Sequence, residues 1–126
     1  MATGISAAGA NTALDAIRTD TPFVQLHVGD PGAAGTANVA TETTRKAVTF
    51  SAASGGSMTN SAQVQWTNIA GPGGVTPEDV THFTIWNALS GGTFKFSGLV
   101  TATPFYAGNT YTIGVGDCVL TVNGAG

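Results

Sequence analysis

Residues 81–100 read THFTIWNALSGGTFKFSGLV, and apolar and polar side chains alternate on both sides of the glycine pair. Alternation with a period of two is typical of β-strands, because successive side chains of a strand point to opposite faces. The runs 81–87 and 93–100 are therefore predicted to be strands, and Gly91-Gly92 gives their connection the length of a hairpin. An antiparallel hairpin is thus expected at the centre of the fold.

The side-chain pattern of this hairpin predicts where the core lies. In the first strand two alternate rows are candidates for the core face, namely Phe83 with Ile85 and His82 with Trp86. In the second strand Phe94 and Phe96 are predicted to share one face, with Lys95 on the other. Together with Trp66, these aromatic rings are expected to fill a core between two sheets, with Trp66 and Phe96 buried.

Further strand signals recur at short intervals, separated by glycine-rich turns such as Ser54-Gly55-Gly56. They cover residues 23–28, 46–51, 57–61, 64–68, 110–115 and 118–122. In the run 23–28, Val24, Leu26 and Val28 lie on one predicted face, and Phe23, Gln25 and His27 lie on the other. This spacing predicts an all-β fold, either an antiparallel, jelly-roll-like β-sandwich or a small barrel, formed by residues 1–126 as a single domain.

One short helix is predicted near the N-terminus, over residues 6–18. Ser6 is a suitable N-cap, since its hydroxyl can accept a hydrogen bond from a free backbone N–H. Apolar side chains recur with helical spacing along one side of the segment, at Ala10, Ala13, Leu14 and Ile17. A helix of this length depends on packing against the sheets.

A long loop is predicted over residues 29–44, which we call the long loop. It opens with Gly29-Asp30-Pro31-Gly32, a sequence typical of a turn, and then shows no clear period. Loops of this length in compact domains are usually functional or disordered, so an arm without a partner is the alternative. We expect the long loop and residues 1–5 to contact a partner. The candidate interface residues are Asp30, Asn38, Val39 and Glu42, the last placed close to Arg45.

The composition excludes several classes of partner. Charged residues make up only 9% of the chain, with four basic side chains against seven acidic ones. Nucleic-acid binding needs clustered Lys and Arg, and only Arg45-Lys46 are adjacent, so neither DNA nor RNA is an expected partner. No apolar run reaches the length of a membrane helix and no signal peptide is visible, so no membrane association is expected.

Candidate catalytic and metal-binding residues are few, and each has a structural explanation. Glu78, Asp79 and His82 would form a cluster only if Pro77 began a helical turn, whereas a capped turn entering a strand is the simpler interpretation. His27 is expected to be a hydrogen-bonded strand histidine. The lone cysteine lies in the apolar run 118–120 and is expected to be buried. The chain is therefore predicted to be non-enzymatic, with no cofactor and no metal.

Two weaker ligand possibilities remain. Loop oxygens could contribute to a calcium site, although the spacing of a calcium-binding loop is absent; the carboxylates concerned are Asp30, Glu42 and Asp117. Aromatic rings could stack on a sugar if they were exposed, although aromatics in alternating strands are more often core; the rings concerned are Trp66, Trp86 and Tyr106.

Four stretches resemble a family of small proteins encoded by phages of actinobacteria. They are LHVGDPGAAGTANVATETTRKAVTFSAASGG, NSAQVQWTNI, THFTIWNALSGGTFKFSGLVTA and the segment from Gly108 to Asp117. The resemblance spans residues 5–122, and the LH-x-GDPG-x-x-GT run is its most specific part. Members of the family carry the labels tail fibre, minor tail or head-decoration protein. The resemblance implies a virion structural protein, assembled in the bacterial cytoplasm, with no catalytic residues.

Three functions compete on these grounds. The favoured one is a capsid decoration protein that stabilises the outer shell as a homo-oligomer, a trimer, bound to the major capsid protein. The alternative is a tail-fibre or minor tail protein that binds other tail proteins and takes part in host attachment. Absence of coiled-coil heptads and shaft repeats favours the first. A third function, from another class, is a free carbohydrate-binding or hydrolytic domain.

Overall fold

A computed structural model describes residues 5–71 and 77–122 of the chain. Within this part, one helix is followed by eight strands. They are α1 (Ala7–Arg18), β1 (Phe23–His27), β2 (Lys46–Ala47), β3 (Ser57–Thr59), β4 (Val64–Trp66), β5 (Glu78–Trp86), β6 (Phe94–Phe105), β7 (Tyr111–Ile113) and β8 (Val119–Thr121).

The strands form three antiparallel sheets packed around a common core. The largest sheet has four strands in the order β2-β1-β5-β6, and the pairs β3-β8 and β4-β7 form two smaller sheets. Buried side chains from all three sheets belong to one apolar cluster, as expected when sheets pack face to face. The all-β, sandwich-like prediction is confirmed, and the described strands do not close into the barrel that was the second possibility.

The helix begins where the sequence predicts. The Ser6 hydroxyl accepts a hydrogen bond from the Gly9 N–H at 3.0 Å, which makes Ser6 the N-cap of α1. Ala10 and Leu14 are buried, whereas Ala13, predicted on the same side, is exposed. The buried side of α1 is therefore narrower than the row of apolar residues in its sequence suggests.

The core face of the central hairpin is the row of Phe83 and Ile85, both with no exposed surface. Trp66 is also buried, and its ring lies 5.8 Å from that of Tyr111 across the β4-β7 pair. The prediction that Trp66 is a core residue is confirmed. Phe96 is only partly buried and packs at the margin of the cluster, so its predicted full burial is wrong.

Phe94 and Phe96 do not share a face, which corrects a second expectation. An irregularity in the ladder places Phe96 opposite Ile85 but Phe94 opposite Trp86, the next residue along β5. Since consecutive strand residues point to opposite faces, the two phenyl rings are separated by the sheet. A local bulge of this kind shifts alternation by one residue, and the period of the sequence does not show it.

The predicted strand 46–51 is split between two sheets. Lys46 and Ala47 pair with β1, after which Phe50 forms a bridge with Asn60 on the opposite layer. Chains that turn a corner of a sandwich commonly change sheets in this way. The run 93–100 instead continues to Phe105 through Pro104, which an edge strand tolerates because an N–H is not required on its outer side.

The Gly55-Gly56 turn is a two-residue hairpin connection, as predicted. Ser54 and Ser57 exchange two backbone hydrogen bonds, of 2.9 and 3.1 Å. The intervening glycines have φ angles of +61° and +79°, values that glycine adopts without steric cost and that suit the twist of a hairpin.

Candidate interaction surface

The first part of the long loop is closed by hydrogen bonds of its own side chains. The Asp30 carboxylate accepts from the Gly32 N–H at 2.8 Å, which completes the predicted turn. The Asn38 Nδ2 donates to the Asp30 carbonyl, also at 2.8 Å, and Asn38 adopts a φ of +54°, which asparagine tolerates better than most residues. Asp30 and Asn38 are exposed, and both hold the loop together.

The second part of the long loop returns along the edge of β1. The Val28 N–H donates to the Asn38 carbonyl at 2.8 Å, and the Ala40 N–H donates to the Leu26 carbonyl at 3.0 Å. Val39 forms a bridge with His27 and is half-buried. The long loop is thus bonded to the sheet edge and does not project as a free arm.

Glu42 is mostly buried and hydrogen-bonded to the backbone. Its exposed fraction is 9%, and its carboxylate accepts hydrogen bonds from the Ala70 N–H at 2.9 Å and the Thr44 N–H at 3.2 Å. Burial alone would raise the pKa of Glu42, but these hydrogen bonds to the charged form hold the pKa below its ordinary value. An interface role stays a prediction for Asp30, Asn38, Val39 and Glu42, and the hydrogen bonds of Glu42 also stabilise the fold.

Glu78 fixes the end of the long loop to the central sheet. Its two carboxylate oxygens accept from the Thr41 N–H at 2.8 Å and the Thr41 hydroxyl at 2.7 Å. Glu78 begins the extended strand β5, so no helical turn brings it toward His82. Across the described ranges, no group of three or more His, Cys, Asp or Glu side chains lies close enough to hold a metal ion.

The outer face of the four-stranded sheet, which points away from the core, carries a buried hydrogen-bonded chain. The Trp86 Nε1 donates to the Thr84 hydroxyl at 2.8 Å, and that hydroxyl lies 2.8 Å from the His27 Nε2. The His27 Nδ1 lies 2.8 Å from the Ala37 carbonyl, which can only accept. His27 therefore carries its hydrogen on Nδ1 and accepts from Thr84, and it is the hydrogen-bonded strand histidine that the sequence predicts.

Arg45 holds the central hairpin and the long loop together. Its guanidinium lies 4.1 Å from the centroid of the Trp86 ring and donates to the carbonyls of Ala88 and Gly91 at 2.9 and 2.6 Å. Planar guanidinium groups suit this combination of stacking and hydrogen bonding. This role could not be predicted from the sequence, because Arg45 and the hairpin connection between Asn87 and Thr93 are more than forty residues apart and meet only in the fold.

Beside Asp30 and Asn38, several uncharged residues of the long loop and the central hairpin are exposed. Ala33, Ala34 and Thr36 are exposed on the long loop, and Leu89 at the tip of the central hairpin is 60% exposed. Gly35 packs against the Phe94 ring, which brings the loop against the hairpin. We call the exposed residues 33, 34, 36 and 89 the candidate interaction surface.

The tryptophans are not available to stack on a ligand. Trp66 and Trp86 are 1% and 7% exposed, whereas Tyr106 is 42% exposed.

Cys118 is fully buried as predicted, and burial raises the pKa of its thiol to about 12. In the described segments, no helix has the length and apolar character that a membrane span requires.

Comparison with known proteins places this chain among phage proteins. The family model for "Podophage GP4 fiber I protein gp80" matches residues 4–121. No curated protein matches the chain. The match agrees with the resemblance at the level of a virion-associated phage structural protein, and its description is that of a fibre. Because the matched range includes nearly all of the sequence, the chain belongs to the Podophage GP4 fiber I protein gp80 family.

Proposed function

We propose that this chain is a structural subunit of a tail fibre and takes part in attachment of the phage to its host. The observation that carries the proposal is the family match over residues 4–121. Capsid decoration, the function favoured from the sequence, receives no support from a family described as a fibre protein. The tail-fibre alternative fits better.

The physical character of the chain supports a role as a rigid building block. Both faces of the central sheet are covered, one by the apolar core and the other by the long loop. With 9% charged residues, neighbouring copies can approach without strong like-charge repulsion. We propose that the chain assembles as a homotrimer with other tail proteins, in the host cytoplasm, and that the phage infects actinobacteria.

We also propose that the chain is not an enzyme, because several of its potentially reactive side chains are engaged in the fold. Both ring nitrogens of His27 are hydrogen-bonded, and the carboxylates of Glu42 and Glu78 bind backbone N–H groups. The Cys118 thiol is buried and remains protonated at neutral pH. Incubation with peptidoglycan and with simple esters should release no product.

The location is tested on intact particles with a labelled antibody fragment raised against the purified chain. A fibre subunit should be labelled at the tail, in a few to tens of copies, and the label should fall on thin appendages in electron micrographs. Labelling spread over the head in hundreds of copies would instead support decoration. Pre-incubating host cells with the purified chain should reduce phage adsorption if the chain takes part in attachment.

A further inference from the structure

A cavity of about 150 Å³ opens between β6 and β7. Four hydroxyl-bearing side chains, one carboxylate and two apolar side chains line it. They are Thr101, Thr103, Thr112, Tyr111, Asp117, Val100 and Ile113. None of the four basic residues of the chain is among them. The cavity is smaller than the pockets that enclose drug-sized ligands, so it suits one small group.

Tyr111 contributes an unpaired hydroxyl to this cavity. The residue is only 5% exposed, with its ring 5.8 Å from that of Trp66 and 6.4 Å from that of Phe105. Within the described residues its hydroxyl has no hydrogen-bond partner. Every side-chain oxygen that is sealed from solvent in these residues does have a partner, so the Tyr111 hydroxyl is not sealed. The hydroxyl is therefore reached from the cavity. Burial raises the pKa of Tyr111 to about 12, so the hydroxyl is a neutral donor at any physiological pH.

The remaining polar groups offer both donors and acceptors. In the described part of the chain, the Asp117 carboxylate has neither a hydrogen bond nor an ion pair. The Thr112 hydroxyl accepts from Gln65 at 3.1 Å, so its own hydrogen is free to donate. The Thr103 hydroxyl donates to the Thr101 carbonyl at 3.0 Å, so its lone pairs are free to accept.

The wall that carries Asp117 is held in place from inside the protein. Asn60 is 1% exposed and bonds the backbone of Gly114, Gly116 and Cys118, the residues that surround Asp117. The Asp117 N–H also closes the turn by donating to the Gly114 carbonyl at 3.1 Å. The carboxylate is thus presented by a rigid turn, which lowers the entropic cost of binding.

We propose that this cavity binds a neutral sugar residue of a glycan on the host surface. Adjacent hydroxyls of a sugar can donate to the Asp117 carboxylate and accept from Tyr111, while Val100 and Ile113 contact its C–H groups. A lone carboxylate without a nearby cation disfavours phosphate, sulfate and acidic sugars. The proposal deepens the fibre function by naming a ligand class, and it uses residues other than the aromatic rings considered from the sequence. Repetition of one weak site along a fibre would supply useful avidity.

The test uses saturation-transfer NMR and titration of the purified full chain with glucose, galactose, mannose and N-acetylglucosamine, with glucuronic acid as the acidic counterpart. At least one neutral sugar should bind saturably with a dissociation constant in the millimolar range, and glucuronic acid should bind more weakly. Tyr111→Phe, which removes one oxygen, should weaken binding about three- to tenfold, and Asp117→Asn by more than about tenfold.

Matched controls are Asp20→Asn and Thr49→Val, which make the same kinds of change at exposed positions outside the cavity. Both should bind as the parent does. If Tyr111→Phe fails to fold, Thr101→Val at the exposed rim replaces it, with the same expected direction. Absence of saturable binding by all four neutral sugars, or binding that both cavity variants leave unchanged, would overturn the proposal. Antibody labelling of particles tests the fibre location independently. A failure of sugar binding can therefore be distinguished from a failure of the proposed fibre function.

Discussion

Asn60 shows how one side chain can organise a loop from within. Its Nδ2 donates to the carbonyls of Ala62 and Gly114, both at 2.9 Å, and its Oδ1 accepts from the N–H groups of Gly116 and Cys118, both at 3.0 Å. The Gly114 carbonyl and the Gly116 N–H each have a second backbone partner, at 3.1 Å in both cases, whereas the Ala62 carbonyl and the Cys118 N–H depend on Asn60. The predicted strand 57–61 includes Asn60, but nothing in the pattern of that strand distinguishes it from a solvent-facing residue.

Replacing Asn60 with Ala should therefore destabilise the chain by about 3 kcal/mol, because four hydrogen bonds are lost and two backbone groups are left without a partner. Asn60→Asp should also destabilise it, since a carboxylate cannot donate to the two carbonyls. Urea denaturation measures both changes. The control is Gln63→Ala at an exposed site nearby, which should stay within about 0.5 kcal/mol of the parent. An equally small effect for Asn60→Ala would contradict the assigned role.

His27 should make stability depend on pH. Burial lowers the pKa of His27 below its ordinary value, because the charged imidazolium is poorly solvated there. On acidification the unfolded chain, with a histidine pKa of about 6.5, takes up this proton before the folded chain does. The stabilisation is thus fully present above about pH 6.5 and declines as the pH falls below that value. Unfolding free energies measured between pH 8 and pH 5 should show the decline.

The decline should be smaller in His27→Gln, which cannot take up a proton. His82 lies opposite His27 in the β1-β5 ladder, so His82→Gln is the matched control and should retain the pH dependence. A pH dependence that disappears in His82→Gln but persists in His27→Gln would contradict the prediction, because it would show that His82 and not His27 causes the effect.

At the scale of elements, the long loop is part of the sheet as well as a surface. Replacement of residues 33–40 by a flexible linker would remove the bonds made by the Ala37 and Asn38 carbonyls and the Ala40 N–H. Such a variant would test folding together with assembly. A point substitution at an exposed position separates the two effects.

Ala34→Arg should leave the isolated chain folded and should reduce its incorporation into particles assembled without the wild-type copy. A long, charged side chain is tolerated by solvent but not by a close-packed interface, where an unpaired charge is costly. Melting temperature and incorporation are measured on the same preparations. Thr67→Arg makes the same exposed change away from the candidate interaction surface and should incorporate normally. Normal incorporation of Ala34→Arg would argue against this surface.

The positions of most strands along the chain could be predicted from the sequence, whereas several of their ends and faces could not. Alternation and glycine pairs placed the central hairpin and the Gly55-Gly56 turn correctly. The split of the run 46–51 depends on Phe50 finding Asn60 across the sandwich, which is a tertiary contact. The bulge that separates Phe94 from Phe96 is likewise set by the partner strand. Local pattern predicts a strand, and its neighbours decide where it ends.

For the molecule as a whole, stability should depend on the contact between the sheets. Trp66 is fully inside that contact, so Trp66→Ala should cost about 3–5 kcal/mol through lost burial and the cavity left behind. Phe96 lies at its margin, so Phe96→Ala should cost clearly less, about 1–2 kcal/mol. Thermal and urea unfolding measure both. Equal losses for the two variants would mean that the core extends further toward β6 than described.

The candidate sites were less predictable than the fold, because they are made by segments far apart in the chain. Asp30 and Asn38 could be recognised as turn and left-handed residues, but the inward direction of Glu42 depends on the Ala70 N–H. The sugar cavity joins β6 to β7 through a wall placed by Asn60, and sequence spacing does not show this meeting. The composition shows that the chain has few charged residues, but it does not show where the cavity lies.

Cys118 offers a chemical measure of how often the molecule opens. It is the one cysteine of the chain, it has no exposed surface, and a thiol whose pKa is raised to about 12 is almost entirely unreactive. Alkylation should therefore proceed only through opened states, at a rate that follows their population or their rate of formation. No added label is needed, so the same reaction can be followed in free chains and in intact particles. Slower alkylation in particles than in free chains would show that neighbouring subunits suppress opening, and the ratio of the two rates would measure the size of this effect.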